Sequence, residues 1–285
     1  MTACFSHFVH SDSDFTHVSF PLASEVIVSS LIFTTKRSVA GCLSALLRWY
    51  APQLKPGGRI VTFHAIETPV DGDVNGIYNM RMETFTAHVR AILEFVQASE
   101  RPQLTSFGVD LSKSVSITFD DGYSSTLTQA APLLVRYSVP CHVFVSPQLI
   151  QSSDRRYLDI AQLKALSELP GFTIGAHGYK HIPLSAVPEH ERLSQLSAAR
   201  KWLEDILQKS VDTMSYPFGD TPKDVQSLVH QAGYTTAASS IWGFNNRNTN
   251  PFMLRRIDFW DGDSEKTATL KLLGYWNWMS RGSST

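Results

Sequence analysis

The chain has 285 residues, 43% hydrophobic and 18% charged, with a formal net charge of −1, enough for one large core or two modest ones in a soluble globular protein. It carries no long basic run, so neither a nucleic acid nor an anionic membrane surface has compositional support as a partner. Cys4, Cys42 and Cys141 are scattered without metal-type spacing and read as free thiols of a reducing compartment.

Residues 1–55 read as an N-terminal extension and 56–285 as the main domain. Met1 to Phe20 is rich in Ser, Asp and His and lacks the basic start and apolar core of a secretory signal, which predicts a cytoplasmic location. Val26 to Phe33 is interrupted by Ser29 and Ser30 and is too short to span a bilayer, so no integral membrane segment is expected. No function is assigned to residues 1–35. Val39, Leu43, Leu46, Leu47 and Tyr50 fall at helical spacing before Pro52. They predict an amphipathic helix over 38–50 that packs on the domain or touches a membrane surface peripherally.

Arg59 to His64 is the first strand pattern and ends in a histidine. An imidazole there, with an ordinary pKa of about 6.5, suits a general acid, although a hydrogen-bonded rim histidine is the commoner role. Glu67 to Asn79 follows as a Gly/Asp/Pro-rich loop suited to a substrate rim. Met82, Phe85, Val89, Ile92, Leu93 and Val96 then mark an amphipathic helix.

Val115, Ile117 and Phe119 alternate as in a buried strand that stops at Asp120-Asp121-Gly122. Two adjacent carboxylates at a strand's C-terminal end repel, and a metal ion would relieve that conflict. The plain alternative is a helix cap or an Asp-Gly turn.

Leu127 to Tyr137 predicts a helix interrupted by Pro132, Cys141 to Val145 a strand, and Ile160 to Leu169 a helix. Phe172 to Ile174 is a strand leading to His177 and His181. Histidines four apart at a strand end can converge on one ion, through a helical turn or a curling loop, and an upstream aspartate would complete a two-His, one-carboxylate set with open positions. A helix over Leu193 to Ile206, a strand over Asp212 to Tyr216 entering Pro217-Phe218-Gly219, a helix over Pro222 to Gln231, strands over Tyr234 to Ala238 and Leu254 to Phe259, and a helix over Glu265 to Trp278 complete the pattern. This alternation predicts parallel strands with helices outside, and roughly seven strands favour a barrel over an open sheet. No glycine-rich phosphate loop is present, so nucleotide binding lacks a carrier.

Thr118-Phe119-Asp120-Asp121-Gly122, His177-x3-His181 and Tyr216-Pro217-Phe218-Gly219, in that order, resemble the polysaccharide deacetylases of carbohydrate esterase family 4, the NodB-homology group, over about residues 59–275. The resemblance implies an α/β fold, a deformed (β/α)7 barrel. It implies a divalent metal, usually zinc with Co2+ or Ni2+ as alternatives, held by Asp121, His177 and His181. It implies Asp120 as general base, and Tyr216, Pro217, Phe218 and Gly219 lining the groove with the Phe218 backbone N–H at the oxyanion.

Two departures refine that expectation. Most members carry the general acid as a histidine on a C-terminal strand, and residues 267–285 contain no histidine. Val61-Thr62-Phe63-His64 instead resembles a circularly permuted arrangement, which assigns the general acid to His64. Ser215 stands where many members have an arginine, and Arg256 in Arg255-Arg256-Ile257-Asp258 is the candidate to pair with Asp120, the plain alternative being a surface arginine pair. Tyr123, Tyr179, Trp242, Phe244 and Trp260 adjoin strand ends, where an aromatic face stacks on sugar or simply packs. Asn245, Asn246 and Asn248 could bind hydroxyls or build a loop. The expected activity is removal of N-acetyl groups from amino sugars of a surface glycan, the absent secretion signal favouring a precursor or unfinished glycan. The alternatives are hydrolysis of another C–N bond, as in an N-formyl sugar or linear amide, and an inactive sugar-binding module.

Overall fold

The computed structural model describes residues 56–98 and 103–277; the extension, its predicted helix over 38–50 and Trp278 lie outside the described residues. All described residues fall in the second of two units, Met1–Val39 and Ala40–Thr285.

In chain order, β1 is Arg59–Phe63, β2 Ala65–Ile66, β3 Asn79–Met80, α1 Met82–Gln97, β4 Gln103–Leu104 and β5 Ser114–Phe119. A π-helical turn, Thr126–Ala130, runs into α2, Ala131–Arg136. Pro132 has no N–H to give and its ring crowds the preceding turn, which accounts for the widened backbone in the helix that the sequence predicts to be interrupted there. Then come β6 Cys141–Val145, α3 Pro147–Ile150, α4 Ile160–Ser167, β7 Phe172–Ala176, α5 Glu189–Leu207, β8 Thr213–Ser215, α6 Val225–Gln231, β9 Thr236–Trp242, β10 Leu254–Asp258 and α7 Glu265–Leu273.

Seven of these strands close into a parallel barrel in the order β1-β10-β9-β8-β7-β6-β5, and β5 returns to β1. The closing pair is continuous, from Arg59 opposite Val115 to Phe63 opposite Phe119. Strands covered on both faces need near-continuous apolar runs, and every residue of β1, β5 and β6 is buried. Ile60, Phe107, Phe144, Ala238 and Leu254 form one buried apolar cluster. On the outside, Phe85, Val89 and Ile92 of α1 are buried as its periodicity predicts, Met82, Leu93 and Val96 are half-buried, Phe95 is buried as well, and Phe63, Phe85, Phe119 and Phe259 meet at ring separations of 5.1 to 5.8 Å.

Short β2 and β3 pair in parallel beyond the end of β1 and hold the 67–78 rim loop between them. Asp73 organises that loop by accepting the backbone N–H groups of Ile77, Tyr78 and Asn79 at 2.7 to 2.9 Å. Among the described residues, no helix is long and apolar enough to cross a membrane.

Candidate metal centre and active site

The C-terminal ends of β1, β5, β7, β8, β9 and β10 surround a cavity of about 410 Å³. At the end of β5 the chain turns sharply: Asp121 and Gly122 both have positive φ, 70° and 82°. Asp121 thereby leaves the strand direction and reaches the histidines, a left-handed conformation that persists only where surrounding contacts impose it. The acid pair caps no helix, since the N-cap of the following helical turn is Ser125 and no side chain caps it.

After β7 the segment from His177 to His181 is a loop, not a helical turn. Gly178 has φ 64°, and a Cβ there would lie 2.9 Å from Pro217 Cγ, so this glycine lets the histidine loop seat on the Tyr216–Gly219 segment. The Nε2 atoms of His177 and His181 both converge on Asp121 Oδ1, at 3.2 and 2.9 Å. One ligand atom from each of the three residues lies within 4.8 Å of the others.

The donor set fits a divalent cation chemically. His177 Nδ1 is 2.9 Å from the Ser215 carbonyl, which can only accept, so Nδ1 carries the proton and Nε2 is directed at Asp121. Burial opposes protonation of His177, but Asp120 and Asp121 outweigh it and raise its pKa. Burial likewise opposes ionisation of Asp121, and the hydrogen bonds from His177 and His181 hold its carboxyl well below the usual range. A site that favours both an ionised acid and a positive charge beside it suits a metal ion.

Asp120 lies one residue away in a different environment. Arg256 Nη1 and Nη2 donate to its Oδ1 and Oδ2, each at 2.8 Å, while Arg256 Nε is fixed on the Ser239 carbonyl at 2.9 Å. Both side chains are nearly inaccessible, 4% for Arg256 and 3% for Asp120. Ser215 Oγ adds a 3.2 Å hydrogen bond to Asp120 Oδ2. Burial pushes the Asp120 pKa up, yet Arg256, with His177 and His64, brings it below the ordinary value. The surface reading of the arginine pair is thus excluded for Arg256.

His64, just past β1, lines the cavity half-buried, its ring edge-on to Tyr78 with centroids 4.9 Å apart. Asp258, at the end of β10, lines the same cavity, and burial raises its pKa against the opposing influence of Arg256 and His64. The sequence reading gave no role to Asp258 or Tyr78. For Asp258 the signal was available, because it lies two positions after Arg256 and therefore on the same face of the strand.

Tyr216, Phe218 and Gly219 line the cavity, and Pro217 is buried behind it. Phe218 has φ 57°, is 66% exposed, and its ring stands 4.9 Å from that of His181. Tyr123 also lines the cavity, whereas Tyr179 lies outside it, 3.4 Å from Gln151.

Trp242 requires correction: it does not line the cavity. It is 6% exposed and packs with Trp260 and Trp276. Lys271, 0% exposed, places its ammonium 3.6 Å from the Trp260 ring centroid, 4.8 Å from that of Trp276 and 5.2 Å from that of Trp242, paired with Asp263. A buried ammonium needs aromatic faces and a counter-ion; these indoles supply the first and Asp263 the second. Phe244 lies under the Arg59 guanidinium at 4.0 Å, and Asn245 clamps the Arg255 backbone, so neither serves a groove.

Residues 108–237 match the polysaccharide deacetylase family model. Over that span the chain is similar to polysaccharide deacetylases. The matched span contains Asp120, Asp121, His177, His181 and Tyr216–Gly219 and leaves out His64 and Arg256. YxkH of Bacillus subtilis (strain 168) is 24% identical over 145 residues, 51% of this chain and 51% of that protein. The poly-beta-1,6-N-acetyl-D-glucosamine N-deacetylase of Staphylococcus aureus (strain COL) is 25% identical over 179 residues, 55% of this chain and 61% of that protein. The chain thus spans about half to three-fifths of the length of these curated relatives. In fold, it superposes on the Streptococcus pyogenes deacetylase PplD with a TM-score of 0.63 at 17% identity, covering 76% of this chain and 99% of that one.

Proposed function

We propose that this polysaccharide deacetylase domain removes N-acetyl groups from amino sugars of a glycan, using a divalent metal, most simply zinc. The observation that carries the reading is the convergence of His177 and His181 on Asp121 beside the separately held Asp120–Arg256 pair. The S. aureus relative's action on poly-β-1,6-N-acetyl-D-glucosamine supports an N-acetylhexosamine as the substrate unit.

Asp121, His177 and His181 would hold the metal, which when bound supplies Lewis acidity toward a water molecule and the acetamide carbonyl. Asp120 is the general base. Arg256 and Ser215 occupy three of its acceptor sites, which keeps it ionised and leaves Oδ1 a lone pair for the proton of the attacking water. Phe218 helps shape the acetyl side of the cavity, with its backbone N–H assigned to the oxyanion. The amine must leave protonated, and His64, braced by Tyr78 and facing Asp258, is positioned as the acid that delivers that proton.

Elemental analysis together with acetate release from N-acetylhexosamine oligomers tests this reading. The expected result is about one metal per chain and acetate release that Asp120→Asn abolishes without loss of metal. Formate or ammonia in place of acetate would assign the site to a different C–N bond. Metal without turnover on any acylated compound would overturn the enzymatic reading.

A further inference from the structure

The buried ammonium of Lys271, on α7, donates to the Asp258 carbonyl at 2.9 Å and to Asp263 Oδ2 at 2.5 Å, against the Trp260 ring. Desolvation cancels much of what such a buried pair contributes to stability. What it does supply is direction, because a fixed ammonium orients the groups that accept from it. One of those acceptors belongs to the last peptide unit of β10. The carbonyl of that unit, from Asp258, faces Lys271, and its N–H, from Phe259, faces the Thr62 carbonyl of β1 at 3.4 Å. Asp258 itself lies in register with Thr62, two residues before His64. Lys271 thereby sets the plane of the peptide that lays the end of β10 against the strand end carrying His64.

The turn that follows carries this hold to the other side of His64. Asp263 Oδ2 also accepts the Trp260 N–H at 2.9 Å, and the Asp263 N–H returns to the Trp260 carbonyl at 2.9 Å. His88 Nε2, from α1, donates to the Asp263 carbonyl at 2.9 Å. Within the turn so closed, the Asp261 N–H donates to the Gly76 carbonyl and Asp261 Oδ1 accepts the Arg81 N–H, each at 2.9 Å. Gly76 and Arg81 bracket Tyr78, whose ring meets that of His64 edge-on. Asp258 and Tyr78 line the catalytic cavity with His64, and Lys271 stands behind them outside it. We propose that Lys271 is a positioning residue for the general acid: through the Asp258 peptide and the Asp263 turn it holds both the end of β10 and the rim loop against His64, so that the imidazole stands where the departing amine takes its proton. The proposal rests on the N-deacetylase reading with His64 as the acid, and it names a residue outside the cavity on which that proton transfer depends.

The test uses the metal-loaded full chain carrying Lys271→Met and Asp263→Asn together. That pair strands no buried charge, suits an aromatic cage and keeps an acceptor for the Trp260 N–H. Two substrates separate the roles: an N-acetylglucosamine hexamer, whose amine leaves only when protonated, and 4-nitrophenyl acetate, whose phenolate leaves without a proton. On the hexamer kcat should fall about tenfold at unchanged KM and metal content, while kcat on the aryl ester stays within about twofold. In a His64→Ala background the same pair should cost little more, because its effect runs through the imidazole. Equal losses on amide and ester, or a loss undiminished by His64→Ala, would overturn the positioning role. Hydrogen exchange checks the hold without turnover, since the amides of residues 76–81 and 258–263 should both exchange faster in the variant. Unchanged protection in either segment would overturn the proposal whatever the activity. Faster exchange in both, with no acetate released by the parent from any N-acetyl compound, would keep the hold and discard the deacetylase reading.

Discussion

Asp120 and Arg256 show how one residue's chemistry depends on a partner 136 positions away. With both side chains buried, the guanidinium keeps the carboxylate ionised and also offsets the desolvation of each. Arg256→Met should therefore destabilise the protein by about 3 to 5 kcal/mol, because it strands a buried charge. Stability and activity fall together, so a denaturation midpoint alone says little about catalysis. The discriminating variant is Arg256→Lys, which keeps the charge and loses the two-point hold. The native Asp120 pKa is lowered, so losing part of that influence raises it, and the acidic limb of kcat/KM should move to higher pH; an unmoved limb would remove Asp120 as the base. His64→Ala should lower turnover on an N-acetylated substrate by about a hundredfold, without loss of metal. Near-normal turnover would leave the amine's proton to another donor.

At the scale of the element, β6 carries a titratable group into the barrel. His142 donates to or accepts from Thr213 Oγ1 at 2.7 Å, and burial lowers its pKa to about 3. Gly175 on the neighbouring strand makes room for this cluster, since a Cβ there would lie 2.6 Å from Phe144 and 2.8 Å from Thr213 Oγ1. A histidine neutral in the native state and protonated when unfolded contributes stability that is present above its unfolded pKa, about 6.5, and is lost on acidification toward its native value. From pH 6.5 to 4.5, His142 should reduce unfolding free energy by up to about 1.4 kcal/mol per pH unit relative to His142→Asn. His177 has the opposite sign, since its raised pKa adds stability at low pH that fades as pH rises. Comparing parent and variant cancels that term. Equal slopes in denaturant melts across this range would refute a neutral buried His142.

For the whole molecule, the ligand set joins β5 to the loop after β7, with β6 between them. A metal there crosslinks parts of the barrel distant in sequence. Chelation should abolish acetate release and lower the thermal midpoint, by the equivalent of about 4 kcal/mol where free metal had stood at a thousand times its Kd. Added Zn2+ should restore both. Loss of activity at an unchanged midpoint would place the essential metal elsewhere.

The resemblance to polysaccharide deacetylases, the barrel and its seven strands were legible in the sequence, because strands buried on both faces must be written as apolar runs and chemistry concentrates where those runs end in Asp-Asp-Gly or His-x3-His. Such signals are local: a few adjacent residues fix where a strand stops and which donors stand there. The pairing of Arg256 with Asp120 and the placing of Asp258 and Tyr78 around His64 are contacts between distant segments, and closure of β1 onto β5 decided them. Trp242 marks the boundary of sequence reasoning. Its position at a strand end suggested a sugar, and only the burial of Lys271, whose charge needed aromatic faces inside the protein, turned it away from the cleft.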